Sequence, residues 1–238
     1  CNIYSSFSQR AYDQIIHDVA MQKLPVTLCF DRAGLVGEDG ATHQGAFDLA
    51  AYRSIPGTII SAPANEMELK NLMYTSLQNE SGPFIIRYPR GLGEGADWRN
   101  ASPVIYNIGK AEQIAEGTDI AVIGIGPAVN RAVEAAAAFD GKVGVYNFRF
   151  LKPLDEDCLQ DICRKYRQIV TVEDGCIKGG LFGAVSEYCA LHNEKIDITP
   201  VGIPDKFIVH ATQGRQRADC GLDKDSLEKL ISSLLQKV

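Results

Sequence analysis

The residues best suited to chemistry stand together in one aperiodic stretch, Asp31-Arg-Ala-Gly-Leu-Val-Gly-Glu-Asp-Gly-Ala-Thr-His-Gln-Gly45, which sets Arg32, Asp39 and His43 among Gly34, Gly37, Gly40 and Gly45. A guanidinium fork suits an anionic group and an imidazole titrates near neutral pH, so this set could hold a small anionic substrate and move protons. Any one of these residues alone reads equally well as part of a polar surface loop. A long glycine-rich loop inside a compact unit is usually functional. The loop directly follows the apolar run Pro25 to Phe30, a buried strand, and therefore lies outside that strand's carboxyl end, where open α/β sheets place their ligands.

Other signals are weaker. Tyr4-Ser-Ser-Phe7-Ser-Gln-Arg10 bridges a strand end and a helix start, with Ser8 as a candidate N-cap; Phe7 could stack on a flat ring or sit in the core, and Arg10 could bond a heterocycle or carboxylate. His17, His192 and His210 read as surface or packed histidines. Gly124-Ile-Gly126 lacks the third glycine of a dinucleotide turn. Cys1, Cys29, Cys158, Cys163, Cys176, Cys189 and Cys220 form no Cys-x-x-Cys pair, so reduced thiols are expected and no zinc or other metal site.

The positioning elements alternate in type. Gln9 to Lys23 reads as an amphipathic helix, Thr58–Ser61 as a strand, Glu66–Leu77 as a helix and Phe84–Arg87 as a strand. Gly91 to about Tyr106, with Pro103 and Trp98, breaks the pattern as a linker. Beyond it, strands are expected at Ile120–Ile125, Val143–Phe148, Ile169–Glu173 and Ile198–Ile203. Helices are expected at Val129–Phe139, Asp155–Tyr166, Gly183–Leu191 and Ser226–Leu235. This is an α/β chain with two three-layer α/β/α units and mostly parallel sheets.

Composition agrees. At 238 residues the chain is long enough for two units, and 45% hydrophobic with 23% charged residues is ordinary for a globular protein. A net charge of −6 argues against nucleic acid as main partner. No apolar run approaches the ~18 residues that cross a bilayer, so no membrane partner and a cytoplasmic location are expected.

Four segments taken together, Tyr4 to Gln14, Asp31 to Asp48, Arg87-Tyr-Pro-Arg-Gly91 and Leu151-Lys-Pro-Leu-Asp155, resemble the 1-deoxy-D-xylulose-5-phosphate synthases, thiamine-diphosphate enzymes of the transketolase superfamily. The likeness runs through the whole chain in order. It implies that residues 1–95 are the C-terminal part of a pyrimidine-binding domain, 96–106 a linker and 107–238 a transketolase C-terminal domain. It also implies condensation of pyruvate with D-glyceraldehyde 3-phosphate, with loss of carbon dioxide, in isoprenoid, thiamine and pyridoxal synthesis, by a homodimer using thiamine diphosphate and Mg2+.

By the same resemblance, Phe7 stacks on the aminopyrimidine and Arg10 lies beside it. Tyr4, Arg32 and Arg90 hold the aldehyde's phosphate, while Asp39 meets a substrate hydroxyl and His43 transfers protons. The family's glutamate for the pyrimidine nitrogen and its ligands for magnesium and diphosphate are expected in an N-terminal half outside these residues, so this chain alone is expected to be inactive. Transketolase proper shares the Asp-Gly-x-Thr-His-Gln loop but would usually open it with Asp-Ser rather than Asp31-Arg32. A 2-oxo acid dehydrogenase β-subunit and a non-catalytic dimerisation module are the remaining alternatives.

Overall fold

The structure is a computed structural model describing residues 1–237. The chain opens with strand β1 (Asn2–Tyr4), and a helical stretch follows: α1 (Ser5–Ser8), a 3₁₀ turn (Gln9–Ala11), α2 (Tyr12–Gln14) and a π-helical run (Ile15–Ala20). Next come β2 (Thr27–Asp31), a 3₁₀ turn (Gly37–Asp39), α3 (Asp48–Arg53), β3 (Ile59–Ser61), α4 (Glu66–Ser76) and β4 (Phe84–Arg87). The second part holds β5 (Glu112–Ala115), β6 (Ile120–Ile125), α5 (Ala128–Ala136), β7 (Val143–Asn147), β8 (Phe150–Lys152), α6 (Glu156–Lys165) and β9 (Gln168–Cys176). It closes with α7 (Leu181–His192), β10 (Asp197–Ile203), α8 (Gln213–Asp219) and α9 (Lys224–Leu235).

Two five-stranded sheets result, in the orders β1-β2-β4-β3-β8 and β10-β9-β6-β7-β5. All pairings are parallel except the two edges: β8 runs antiparallel to β3 and β5 antiparallel to β7. The all-buried runs of β4 and β6 are what parallel strands covered on both faces require. The fold is thus α/β with mostly parallel sheets flanked by helices.

The sheets share material. Strand β8 lies beyond β7 of the second sheet in sequence, yet it completes the first sheet by pairing Ile60 with Lys152 and Ser61 with Phe150. One apolar cluster runs through both, from Phe30, Tyr52 and Ile60 to Ile123, Phe148 and Val185. Buried Arg149 reinforces the joint: it donates to Glu68 Oε1 from Nη2 at 2.7 Å, also pairs with Glu112, and lies 4.2 Å from the Tyr106 ring centre. The stretch Gly91–Tyr106 has no regular structure but is pinned to α4: Lys70 Nζ donates to the Trp98 and Ala101 carbonyls, and Thr75 Oγ1 accepts from the Tyr106 N–H.

Several sequence expectations need correction. Helical backbone begins at Ser5 rather than Gln9 and runs into a π-helical segment; Ser8 is no N-cap but a buried helical residue whose hydroxyl donates to the Ser5 carbonyl at 2.7 Å. Strands β5 and β8 and helices α3 and α8 give too short or too polar a pattern to register as periodic. No helix among the described residues is long and apolar enough to cross a membrane.

Candidate active site

Strands β1, β2 and β4 are adjacent and parallel, with Tyr4 opposite Asp31 and Phe30 opposite Arg87. Their carboxyl ends therefore lie side by side. Whatever follows each strand is delivered to one edge of the sheet: Phe7 after β1, the glycine-rich loop after β2 and Arg90 after β4. Parallel topology alone gathers three segments that are far apart in sequence.

At that edge the Arg32 guanidinium stacks 4.4 Å from the Tyr4 ring centre and pairs with Asp39. Arg90 approaches the other oxygen of the same carboxylate, 3.6 Å from Nη1 to Oδ1, and donates to the Val36 carbonyl at 2.8 Å. The Tyr4 and Phe7 rings stack at 5.2 Å, and Phe7 meets the edge of the His43 ring at 5.5 Å. Thr42 Oγ1 lies 2.9 Å from His43 Nδ1. Phe7 is 44% exposed, so part of its ring is open to solvent. Tyr4, Phe7, Arg32, Asp39, His43 and Arg90 are in this way linked in one continuous array. Arg10 stands apart: it is exposed in the 3₁₀ turn, and its side chain makes no hydrogen bond or ion pair among the described residues.

A cleft of about 390 Å³ opens beside Arg32 and Arg90, walled also by Tyr88, Asn65 and Pro127. Arg32 has a left-handed backbone at φ 57°, uncommon for a residue with a side chain, and its N–H donates to Asp31 Oδ1 at 2.6 Å. Such a conformation is held only where its surroundings over-determine it.

The loop supplies that constraint. Gly34 and Gly45 exchange backbone hydrogen bonds of 2.7 and 2.8 Å, and a Cβ on Gly45 would lie 2.3 Å from the Arg32 carbonyl oxygen. A Cβ on Gly34 would lie 2.4 Å from Asp174 Cγ, and the Leu35 N–H donates to Asp174 Oδ1 at 3.0 Å. Gln44 accepts from the Val36 N–H at 2.8 Å. From the second sheet's side, Gln216 bonds both the N–H and the carbonyl of Gly37, and Gln213 donates to the carbonyls of Leu35 and Arg90. His210 backs onto Gly40, whose added Cβ would be 3.4 Å from the histidine's own.

Beneath the loop lies a buried polar cluster. Arg87 donates from Nε to Asp48 Oδ2 at 2.9 Å and from Nη2 to the carbonyls of Asp174 and Gly45. Ser5 donates to the same Asp48 oxygen at 3.0 Å, tying α1 into the cluster. Glu173 closes it, accepting from the Leu181 and Phe182 N–H groups at the start of α7. Burial pushes the Glu173 carboxyl up to about 7, against the opposing pull of those N–H groups and Arg87.

The sequence missed Asp174, Gln213 and Gln216. Glu173-Asp174-Gly175 could have been found as an acidic pair closing a buried strand, but α8 carries no apolar period and gives no signal. Among the described residues no group of three or more His, Cys, Asp or Glu side chains stands together to hold a metal ion.

The transketolase pyrimidine-binding domain family matches residues 1–95, and the transketolase C-terminal domain family matches residues 109–227. The chain belongs to the transketolase family. Curated relatives that it resembles are named 1-deoxy-D-xylulose-5-phosphate synthase. The protein from Bacteroides thetaiotaomicron is 53% identical over 233 residues, 96% of this chain and 36% of the relative. That from Parabacteroides distasonis is 50% identical over 97% of this chain and 37% of the relative. That from Idiomarina loihiensis is 45% identical over 99% and 37%. This transketolase-family chain therefore spans little more than a third of the length of those proteins, matching a C-terminal part of them. Among solved structures it is similar to a split-gene transketolase in the form of an inactive β4 tetramer, with TM-score 0.86 and 25% identity, over 99% of this chain and 75% of that one.

Proposed function

We propose that this chain forms the pyrimidine-binding and substrate-binding side of a thiamine-diphosphate carboligase that joins pyruvate to D-glyceraldehyde 3-phosphate, giving 1-deoxy-D-xylulose 5-phosphate and carbon dioxide for isoprenoid, thiamine and pyridoxal precursor synthesis. The observation that carries this reading is the single array of Tyr4, Phe7, Arg32, Asp39, His43 and Arg90 at the carboxyl ends of β1, β2 and β4. The high identity to the synthases supports the choice of reaction.

The exposed part of Phe7 fits a stacked heterocycle, and Arg10, exposed three residues on and without a side-chain partner among the described residues, is free to meet a ligand. These residues fit the aminopyrimidine end of the cofactor. Its diphosphate and Mg2+ would be held by residues other than these. Bound, the cofactor supplies the carbon centre on which pyruvate is decarboxylated. Arg32 and Arg90 present guanidinium forks on either side of Asp39 and hold the aldehyde's phosphate, with Tyr4 bracing Arg32 from behind. Asp39 accepts a hydrogen bond from a substrate hydroxyl. His43, between Phe7 and Thr42, moves the proton at the aldehyde oxygen as the new carbon–carbon bond forms.

The ligands for diphosphate would come from a further polypeptide segment, and the active form would be a homodimer of the complete assembly. The split-gene transketolase neighbour, an inactive β4 tetramer, is the parallel for this chain by itself. Transketolase proper is the second reading, favoured by the same two domain families and that neighbour.

The test combines the chain with the diphosphate-binding part, thiamine diphosphate and Mg2+, and follows carbon dioxide release. Release that depends on both pyruvate and glyceraldehyde 3-phosphate is the expected result. Activity with a ketose phosphate donor and none with pyruvate would assign transketolase instead.

A further inference from the structure

Between the Gly34–Gly45 bridge and the 3₁₀ turn, the substrate loop has few backbone partners for its peptide groups. A buried backbone N–H or C=O without a partner is costly, so a loop of this kind holds one shape only if side chains supply the missing partners. At Gly37 one side chain takes the N–H and shares the carbonyl with the Gly40 N–H, which lies 3.2 Å away. Gln216, 1% exposed, accepts the Gly37 N–H at 2.8 Å and returns a hydrogen bond to the Gly37 carbonyl at 3.0 Å, pairing with the peptide as a neighbouring strand would. Its second amide hydrogen goes to the Val209 carbonyl at 2.8 Å, which fixes the amide's plane.

One turn earlier on the same face of α8, Gln213 uses both amide hydrogens, on the Leu35 carbonyl at 2.7 Å and the Arg90 carbonyl at 3.0 Å. It thereby ties the loop after β2 to the segment after β4. Those two segments bear the guanidinium groups that face Asp39, and Gly37 opens the 3₁₀ turn that ends on Asp39. The two glutamines are about 180 residues away from the loop in sequence, on a helix that follows the last strand of the second sheet.

We infer that Gln216 and Gln213 are positioning residues through which the C-terminal part of the chain sets the spacing of Arg32, Asp39 and Arg90, and hence the fit of a phosphorylated substrate. The catalytic half of this statement rests on the proposed function. The structural half, that the loop is shaped by α8, does not. Helix α8 is itself fixed at its start by the Thr212 hydroxyl, which accepts the Arg215 N–H at 3.2 Å, so the clamp has a defined anchor. Glutamate in place of Gln216 keeps the acceptor for Gly37 N–H but loses both donors, and leucine loses all three bonds.

Two measurements test this, with Gln216→Leu, Gln216→Glu and Gln213→Leu. Hydrogen exchange on the chain should speed up by roughly tenfold to hundredfold across residues 31–45, while β4, β6 and β9 keep their protection. Gln216→Leu should show the most and Gln213→Leu, which is only half-buried, the least. In the complete cofactor-bound enzyme the KM for glyceraldehyde 3-phosphate should rise about tenfold or more, with the pyruvate KM and cofactor affinity changed less than about threefold.

Loop exchange unchanged in all three variants overturns the clamp. Faster loop exchange with an unchanged aldehyde KM overturns its role in substrate fit, and so does an equal rise in both KM values. If Gln216→Leu loses protection everywhere, Gln213→Leu decides by the same two criteria. A wild-type assembly without condensation activity would refute the proposed function instead, and the exchange arm would still judge the clamp.

Discussion

Two arginine–carboxylate groupings lie a few residues apart in sequence and serve different ends. Arg87 and Asp48 have side chains 3% and 2% exposed, and the pair is enclosed by Ser5, the Gly45 and Asp174 carbonyls and the Leu49 N–H. Arg32 and Asp39 are 25% and 28% exposed, and Arg90 beside them is 41% exposed. The first grouping has its hydrogen bonds directed inward and holds α1, α3, β4 and β9 together. The second faces a cleft and keeps charge toward solvent. Burial and saturation make a scaffold; partial exposure with two cations to one carboxylate leaves positive charge facing the cleft, a disposition that suits an anion.

The widest separation between the regions is expected from His43. In the complete enzyme, His43→Ala should lower turnover by roughly 10²–10⁴, the loss typical of a positioned acid or base, with folding unaffected. Turnover near wild type in a folded variant would remove His43 from the mechanism.

Arg87→Met should do the reverse. Leaving Asp48 charged and unpaired in the interior should cost roughly 3–5 kcal/mol of stability, read as a fall in the denaturation midpoint. A cost below about 1 kcal/mol would show that the buried pair is not the keystone its geometry indicates.

Glu173 sharpens the buried side of the comparison. Its folded value lies above its ordinary 4.5, at about 7, chiefly through burial, so the folded chain holds this proton more tightly than the unfolded chain. The associated stability is complete below about pH 4.5 and is lost as pH rises through 7, up to about 3 kcal/mol in all. Asp48 and Asp174 lie in the same cluster and Arg87 opposes them. Thermal midpoints from pH 5 to 8 should therefore fall more steeply in the wild type than in Glu173→Gln; parallel curves would exclude Glu173 as the titrating group.

The smallest effect belongs to the two arginines beside the cleft. Arg90→Ala or Arg32→Ala should raise the KM for the phosphorylated aldehyde by an amount worth roughly 1.5–3 kcal/mol, the value of hydrogen bonds to a charged group. Stability should move by less than about 0.5 kcal/mol for exposed Arg90. An unphosphorylated aldehyde losing as much efficiency would show that these residues do not read the phosphate.

The sequence by itself determined the α/β alternation, because continuous apolar runs such as Phe84–Arg87 and Ile120–Ile125, bounded by Gly, Pro and polar residues, can be read locally. It also marked the loop from Asp31 to Gly45, whose glycines and charged residues suit neither core nor regular element. Only the tertiary structure decided what that loop does with its neighbours. Strand order brings Tyr4, Arg32 and Arg90 to one edge, β8 crosses to the first sheet, and Gln213 and Gln216 reach back to bond peptides at Leu35 and Gly37. The physical reason is that periodicity records which face of an element is buried, while a hydrogen bond between a polar side chain and a distant peptide leaves no period in either segment.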